Sequence, residues 1–407
     1  MNPHERAVSR GGSRRARDVG RWLVGVCLPL VLLVGCEENP LENLPDITEP
    51  PPADTGNNRL RAGKHDLHAL LMDEGDAVLE QANRQDTERG VVIESREIET
   101  DFPSSELVPS WNVDVPEGAG FHTEIRLRPV GAEKWTTWYY FGQWGETPDL
   151  AKRRLSDAFA SVEIDYVISA RTFNRIQYRF HLYPDPEGKL PTIRRVALAY
   201  SNTLNDAELA VRHRQAIDPG DRSRWSRRLD VPFRSQKWEK LSIAGDICSP
   251  TSVAMVMAYR GVDVPTIDVA KQLFDYEYDI YGNWARAVQG AYVFGVPGYL
   301  RRFGNWDEVK TLIADGQPII ASIRVKPGQL RGAPYKESTG HLLVITGWDG
   351  PHRLFVNDPA GQTTQTGQVI YTREDLEAVW LSNGGLGYIL EQTSGAPATG
   401  DAQSASR

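Results

Sequence analysis

Cysteine is scarce in this chain of 407 residues, which has only Cys27, Cys36 and Cys248. No two of them have the C-x-x-C spacing of a redox pair or of a zinc-binding motif. This count excludes a framework of several disulfides and a zinc site built from paired cysteines. A lone cysteine such as Cys248 is often a buried and inert thiol. A chemical role for it therefore depends on the residues around it.

Long apolar runs are also rare, and residues 22–33 form the most prominent one. The run follows six arginines, is short for a bilayer span and has the length of a signal-peptide core. It ends in Leu33-Val34-Gly35-Cys36, which resembles the lipobox of bacterial lipoproteins. That resemblance implies a signal peptide over residues 1–35 and a lipid on Cys36, with an ordinary signal anchor as the alternative. We expect an extracytoplasmic protein of the cell envelope, in the outer membrane or periplasm of a Gram-negative cell or otherwise on the outer face of the cell membrane.

Basic side chains are fewer than acidic side chains in this chain. Six of the 46 basic and two of the 54 acidic side chains precede Cys36. The mature chain therefore has 40 basic and 52 acidic side chains and a formal net charge of −12. Nucleic-acid binding needs clustered lysine and arginine to contact phosphates. The charge balance therefore argues against nucleic acid as a partner.

Two segments of different composition lie between Cys36 and residue 90. Residues 36–60 contain five prolines among acidic and small polar residues, which predicts an extended tether. Residues 61–90 contain leucines at helical spacing, which predicts a possible helix. His65 and His68 lie one helical turn apart there and could bind a metal, but no third ligand is close in sequence. A solvated pair is the favoured interpretation.

From residue 91 to residue 205 the pattern has a period of two. Apolar and charged residues alternate over residues 124–128, 161–166 and 175–182. Half-buried strands separated by glycine and proline turns predict an all-β, sandwich-like domain. Four tryptophans fall here: Trp111, Trp135, Trp138 and Trp144. We expect them in the core, although a platform for sugars in a wall-binding module is the alternative.

The rest of the chain predicts an α+β domain. Residues 206–228 are polar and are expected to be a linker, residues 229–391 to be the domain, and residues 392–407 to be a disordered tail. Helices are expected at residues 248–259, 265–274, 283–294, 373–381 and from residue 305. Strands are expected at residues 317–325, 341–348, 353–357 and 387–391. Helices followed by antiparallel strands are typical of this fold class.

Cys248 directly precedes the first of these helices. Ser249 is a plausible N-cap, and Pro250 suits a first helical turn because its missing N–H is not needed there. A thiol at the positive end of a helix dipole is favoured as the thiolate, which is the nucleophilic form. The sequence therefore predicts an activated thiol at this position.

Three further residues have types that suit chemistry at a thiol. His341 begins an apolar strand and could act as a base, and Asp358 follows the next strand and could orient the imidazole. Gln236 precedes the cysteine helix and could donate to an oxyanion. Each residue also has a purely structural interpretation, as a strand-end histidine, a turn-initiating aspartate and a glutamine bonded to backbone. Their order along the chain favours the functional interpretation.

The motifs together resemble the peptidase C39-like family: 231-VPFRSQ-236, 248-CSPTS-252, 340-GHLLVITG-347 and 356-VNDP-359. The resemblance covers about residues 229–391 and implies a papain-like fold. It also implies a cysteine peptidase with Cys248 as nucleophile, His341 as base, Asp358 as the orienting residue and Gln236 in the oxyanion hole. Asn357 is the alternative orienting residue, because papain-type enzymes use asparagine there.

One position departs from the family pattern, since Ser249 stands where the family usually has glycine. A side chain at that position could narrow the site. A second resemblance involves residues 106–112 and 135–138, which look like the accessory β domain that precedes the peptidase domain in many exported bacterial proteins.

The sequence therefore predicts a lipid-anchored cysteine hydrolase that cleaves a peptide or amide bond in a peptide or protein, with a cell-envelope component as one candidate substrate. It implies no metal or organic cofactor. Two alternatives remain. One is a catalytically silent lipoprotein that binds a peptide or wall fragment, and the other is an acyltransferase or amidase with the same residues.

Overall fold

The computed structural model describes residues 64–75, 82–150, 153–204, 217–239 and 242–392. The signal peptide, Cys36, the tether and the tail from residue 393 lie outside the described residues. The described chain has a strand-rich first part and a second part with both helices and strands. No helix among these residues is long and apolar enough to cross a membrane.

Nine antiparallel strands form the first part within the described residues. They are β1 (His68–Glu74), β2 (Asn83–Thr87), β3 (Gly90–Glu94), β4 (Ile98–Asp114), β5 (Gly120–Pro129), β6 (Tyr139–Gly145), β7 (Ala160–Glu163), β8 (Tyr166–Tyr183) and β9 (Thr192–Ser201). β4 and β8 are long, with 17 and 18 residues, and each pairs with more than one neighbour. The nine strands consequently form one hydrogen-bonded sheet.

An aromatic core lies inside this sheet. Trp111 comes from the half of β4 that pairs with β9, and its ring makes edge contacts with Phe121, Phe141 and Phe180 at centroid distances of 6.2, 6.2 and 6.3 Å. These three phenylalanines lie on β5, β6 and β8. Opposite portions of the sheet therefore pack against each other through aromatic side chains.

The tryptophans divide into two groups. Trp111 and Trp144 are buried, as expected for core residues. Trp135 and Trp138 are half-buried, and the guanidinium of Arg126 lies 4.9 and 4.4 Å from their ring centroids. The core interpretation is therefore right for the first two, whereas the other two pair with arginine at the surface.

The helix predicted within residues 61–90 is wrong. Residues 68–74 form β1, which pairs with β9, and β2 and β3 form a hairpin. The leucine spacing is compatible with a helix, but the hydrogen-bonding edge of β9 imposes an extended conformation. His65 and His68 are not a solvated pair either. His65 is buried with Nδ1 2.8 Å from Ser201 Oγ, and His68 Nε2 lies 3.0 Å from Glu308 Oε2.

The second part places helices against a six-stranded antiparallel sheet. The helices are α1 (Arg222–Trp225), α2 (Cys248–Tyr259), α3 (Thr266–Leu273), α4 (Trp284–Val293), α5 (Trp306–Ala314), α6 (Thr364–Gly367) and α7 (Arg373–Leu376), which continues as a π-helix over Glu377–Leu381. The strands are β10 (Gly298–Arg302), β11 (Ile319–Val325), β12 (Ser338–Asp349), β13 (Arg353–Asn357), β14 (Gln368–Thr372) and β15 (Leu386–Leu390). Their order in the sheet is β10-β15-β11-β12-β13-β14.

The end of the predicted linker packs onto this second part. Trp225 of α1 is buried with its ring 5.7 Å from that of Trp348. Residues 227–229 then run beside a bulge of β12, where a Cβ on Gly347 would lie 2.0 Å from Arg227 O. The glycine at the end of the 340–347 motif is thus required by a close backbone approach.

The two parts are joined by polar contacts at the edge strand β10. Gly298 N donates to Asn112 Oδ1 at 3.2 Å, and Leu300 N donates to Ser110 Oγ at 3.0 Å. Gln289 of α4 bonds to both the N–H and the C=O of Val113. Side chains of β4 therefore satisfy backbone groups that an edge strand would otherwise expose.

Candidate active site

Cys248 occupies the first position of α2. Ile247 precedes it without a side-chain cap, so the expected N-cap at Ser249 is wrong and Ser249 lies inside the first turn. The backbone N–H groups of Ser249 and Leu342 donate to the sulfur of Cys248, which is partly exposed. Uncapped N–H groups at a helix start carry partial positive charge and favour an anion. The local structure thus supports a thiolate.

His341 connects this thiol to a carboxylate. It lies on β12, opposite Ile323 of β11, and its ring forms a hydrogen bond with Cys248. Its Nε2 is 2.8 Å from Asp358 Oδ1, so Nδ1 is the nitrogen left for the thiol. The structure therefore brings Cys248, His341 and Asp358 into one continuous hydrogen-bonded row.

Asp358 is fully buried and accepts four hydrogen bonds. Its Oδ1 accepts from His341 and from Ala360 N, the latter at 3.0 Å. Its Oδ2 accepts from the hydroxyls of Tyr335 and Tyr371, both at 3.0 Å. A buried carboxylate with this many donors is stabilised in its ionised form. The ring of Tyr335 also packs edge-on against His341, with centroids 4.8 Å apart.

Asn357, the alternative orienting residue, bonds to the backbone of another segment. Its Nδ2 donates to Val231 O at 2.9 Å, and the contact with the imidazole belongs to Asp358. Side chains alternate between the two faces of a strand, so neighbouring residues at its end point in different directions. Asn357 therefore ties β13 to the segment that leads into Gln236.

The charges in this row reinforce one another. Burial alone would raise the pKa of Cys248, but the hydrogen bond and positive charge of His341 lower it. Burial alone would lower the pKa of His341, but the charge and hydrogen bond of Asp358, together with Cys248, raise it to about 10. The imidazolium in turn keeps the pKa of Asp358 below its ordinary value despite burial. The favoured state is thiolate, imidazolium and carboxylate.

Gln236 begins a short 3₁₀ turn, Gln236–Trp238, and contacts the loop after Asp358 and the loop before Cys248. Its backbone N–H donates to Pro359 O at 2.9 Å, and its Nε2 donates to Ala244 O at 2.7 Å. A side-chain amide has two N–H donors. One holds the loop that precedes Cys248, and the second has only a longer contact of 3.5 Å with Gly245 O.

Ser249 faces the core. It is fully buried, and its Oγ lies 3.4 Å from the hydroxyl of Tyr388 on β15. The side chain that could have narrowed the site is therefore turned towards the sheet.

Sequence reasoning missed the two tyrosines that hold Asp358. Tyr335 precedes β12 and Tyr371 lies on β14, 23 and 13 residues from the carboxylate. Neither lies in a motif, and only the pairing of β13 with β14 and the path of the loop before β12 bring them close. Their contribution is a property of the tertiary structure.

Potential metal ligands come together in a different place. Among the described residues, the only group of three or more His, Cys, Asp or Glu side chains with converging ligand atoms consists of His122, Glu124 and His181. These residues lie on β5 and β8 of the first part.

Comparison with known proteins gives two family matches. Residues 228–388 match the model described as the peptidase C39-like family, and residues 60–201 match the model described as the peptidase C39 N-terminal domain. A comparison with curated proteins gives no significant match.

Two solved structures show partial similarity. One is a double-glycine-motif protease from an AMS/PCAT transporter in complex with the leader peptide, at 21% identity over 41% of this chain and 94% of that one, with a TM-score of 0.29. The other is the C-terminal CBM6 of LamC, a laminarinase from Zobellia galactanivorans, at 10% identity over 32% and 98%, with a TM-score of 0.16.

Proposed function

Because residues 228–388 belong to the peptidase C39-like family, we propose that the protein is a cysteine peptidase of papain-like fold. The observation that carries the proposal is the hydrogen-bonded row of Cys248, His341 and Asp358 at the start of α2. A partly exposed thiolate beside an imidazolium is the arrangement that thiol-dependent acyl transfer requires.

The proposed reaction begins with attack of the Cys248 thiolate on the carbonyl carbon of a peptide bond. The resulting oxyanion accepts a hydrogen bond from the second amide proton of Gln236 and lies near the positive end of α2. The C–N bond breaks as His341 gives its proton to the leaving amine, which leaves an acyl-enzyme. Neutral His341 then takes a proton from water, and the hydroxide releases the acid and regenerates the thiolate.

Asp358 has the role of a positioning residue. Its bond to Nε2 fixes the imidazole with Nδ1 towards sulfur and stabilises the imidazolium. The tyrosine hydroxyls on its other oxygen prevent the carboxylate from rotating away. The row is therefore held in place before any substrate binds.

The direct test is digestion of a mixed peptide library by the full chain in water enriched in ¹⁸O, analysed by mass spectrometry. We expect new C-termini that carry ¹⁸O, and none with Cys248→Ala. Amide products with an added amine instead of ¹⁸O-labelled acids would indicate an acyltransferase. An absence of products from every peptide, together with ordinary thiol reactivity of Cys248, would leave the silent binding protein.

The lipobox resemblance supports a separate proposal about location. We propose that Cys36 carries the lipid that holds the protein at the cell envelope, facing peptide or protein substrates there. The full chain expressed in a bacterium supplied with labelled palmitate should incorporate the label and partition into detergent. Cys36→Ser should lose both properties, while Cys27→Ser should retain them. Equal labelling of the two variants would overturn this proposal.

A further inference from the structure

The pairing of β5 with β8 brings two distant histidines together. His122 lies directly opposite His181, and Glu124 lies opposite Arg179. Residues two apart on a strand project from the same face, so Glu124 shares a face with His122. The register therefore places one carboxylate and two imidazoles side by side, although β5 and β8 are far apart in sequence.

The three side chains converge closely. Their ligand atoms all lie within 4.8 Å of one another. The two imidazole rings are stacked with centroids 4.1 Å apart and planes inclined by 10°, and His181 Nε2 is 2.8 Å from Glu124 Oε2. Ligand atoms about 2 Å from a tetrahedral zinc ion are roughly 3.3 Å apart. Because a metal lies in the plane of each imidazole that binds it, one of the two stacked rings must turn out of the stack, and the ligand atoms must move closer, to reach that geometry.

The neighbouring polar groups leave one coordinating atom on His122 and one on Glu124, whereas His181 Nε2 must exchange its hydrogen bond with Glu124 for the ion. Tyr183 Oη is 2.9 Å from His122 Nδ1, which fixes that ring and leaves Nε2 for a ligand. A hydrogen bond to the far nitrogen is the usual support of a metal-bound histidine. Glu124 receives Arg179 and His181 on the same atom, Oε2, so Oε1 is the oxygen available to an ion.

Arg179 competes with a metal for Glu124. Its Nε lies 2.6 Å from Glu124 Oε2, and its guanidinium also lies 4.2 Å from the ring centroid of Trp138. The ring of Trp138 stabilises the guanidinium by a cation–π contact. Arg179 can consequently remain on Trp138 while a metal takes Oε1 of Glu124.

We propose that His122 Nε2, His181 Nε2 and Glu124 Oε1 bind one divalent ion of the zinc class, with a fourth position open to water or an external ligand. Imidazole and carboxylate ligands in this number suit zinc and its first-row neighbours. The site is on the first part of the chain and supplies nothing to the proposed chemistry of Cys248, so the two proposals stand independently.

The test titrates metal-free full chain, purified without a histidine tag, with Zn²⁺ by calorimetry and with Co²⁺ by visible absorption. The Cys248→Ala background removes the thiol of the other site. We expect one equivalent to bind, with Co²⁺ d–d bands of a four-coordinate nitrogen and oxygen site. His122→Gln combined with His181→Gln should weaken binding by at least about 100-fold. His352→Gln, which removes an exposed histidine elsewhere, should bind like the parent.

Two outcomes would overturn the proposal. One is the absence of stoichiometric binding in the parent, and the other is equal binding by the double variant and by His352→Gln. Far-UV circular dichroism and the thermal midpoint of each metal-free protein report whether the double variant is folded. If it does not fold, Glu124→Gln, which keeps the size of the side chain, provides the same comparison.

Discussion

Arg302 and Glu106 form an ion pair of 2.9 Å across the two parts of the chain, and neither side chain is more than 1% exposed. Arg302 lies on β10 and also donates to Gly384 O at 2.9 Å, whereas Glu106 lies on β4. Charges withdrawn from water to this extent are tolerated because each compensates the other. The contact therefore makes the folding of one part depend on the other.

The first prediction is that Glu106→Gln destabilises the whole chain by about 3–5 kcal/mol, because it removes the carboxylate that is hydrogen-bonded to the buried Arg302. Urea unfolding followed by tryptophan fluorescence measures the change. Asp86→Asn, which removes the exposed pair of Asp86 with Arg84, is the matched control and should cost less than about 1 kcal/mol. Equal effects of the two substitutions would contradict the prediction.

The second prediction concerns the hydroxyls on Asp358. Tyr335→Phe and Tyr371→Phe each remove one donor from Oδ2 while keeping the ring. A hydrogen bond to a charged group contributes about 1.5–3 kcal/mol, so the carboxylate should hold the imidazolium less firmly. We expect the pKa of His341 to fall, the pKa of Cys248 to rise, and alkylation of Cys248 at pH 6 to slow by roughly 10-fold.

Tyr139→Phe is the control for that experiment, because its hydroxyl bonds to Asp157 on the first part of the chain. It should leave alkylation unchanged. If the Tyr335 and Tyr371 variants behave like this control, the two hydroxyls support the fold without affecting the charge state of the row.

The third prediction is that alkylation of Cys248 remains fast at a lower pH than alkylation of an ordinary thiol. The pKa of Cys248 is lowered, so its thiolate persists as pH falls below the ordinary value of about 8.5. Iodoacetamide alkylation should therefore stay fast at pH 7. Peptide hydrolysis also needs the imidazolium as an acid, and it should decline as pH rises through the His341 pKa of about 10.

The same shift predicts how stability depends on pH. Because the folded pKa of His341 is raised above about 6.5, its contribution is complete below that pH and is lost as pH rises through about 10. His341→Gln should raise the alkylation midpoint, since burial without the imidazolium raises the pKa of the thiol. A midpoint that does not move would show that His341 does not set the charge of Cys248.

The fourth prediction is that Ser249→Gly leaves peptide hydrolysis within about threefold of the parent. Its Oγ faces Tyr388 in the core, so removing it opens no space around the thiol. Glycine in a helix costs about 0.5–1 kcal/mol, and we expect a loss of stability of this order. A large gain in kcat would indicate that Ser249 obstructs substrate, and kcat and the urea midpoint together separate these outcomes.

Local patterns predicted the second part of the chain well. The helices expected at residues 248–259, 265–274 and 283–294 appear as α2, α3 and α4, and the strands at residues 317–325 and 353–357 appear as β11 and β13. α4 begins with a clear cap, because Asn283 accepts from Arg286 N, whereas α2 and α3 begin without a side-chain cap and their apolar residues carry the signal. Their local preferences and their tertiary contacts favour the same structure.

Other features could not be predicted because they arise from long-range pairing. β1 is extended because β9 pairs with it, and the convergence of His122 with His181 depends on the register of two strands separated by two others in sequence. Asp358, and not Asn357, bonds to the imidazole of His341 because it is the residue at the end of β13 that turns towards it. The hydrophobic pattern shows which face of a strand is buried, but not which distant strand pairs with it or in which register.

The side chains of β4 that bind the edge strand β10 have a consequence for the order of folding. The first part of the chain precedes β10 in sequence and can form its sheet as a unit before β10 is available. When β10 docks, Ser110 and Asn112 are already in position to accept its N–H groups. The folded first part would thereby cover an edge strand whose N–H groups could otherwise pair with another chain.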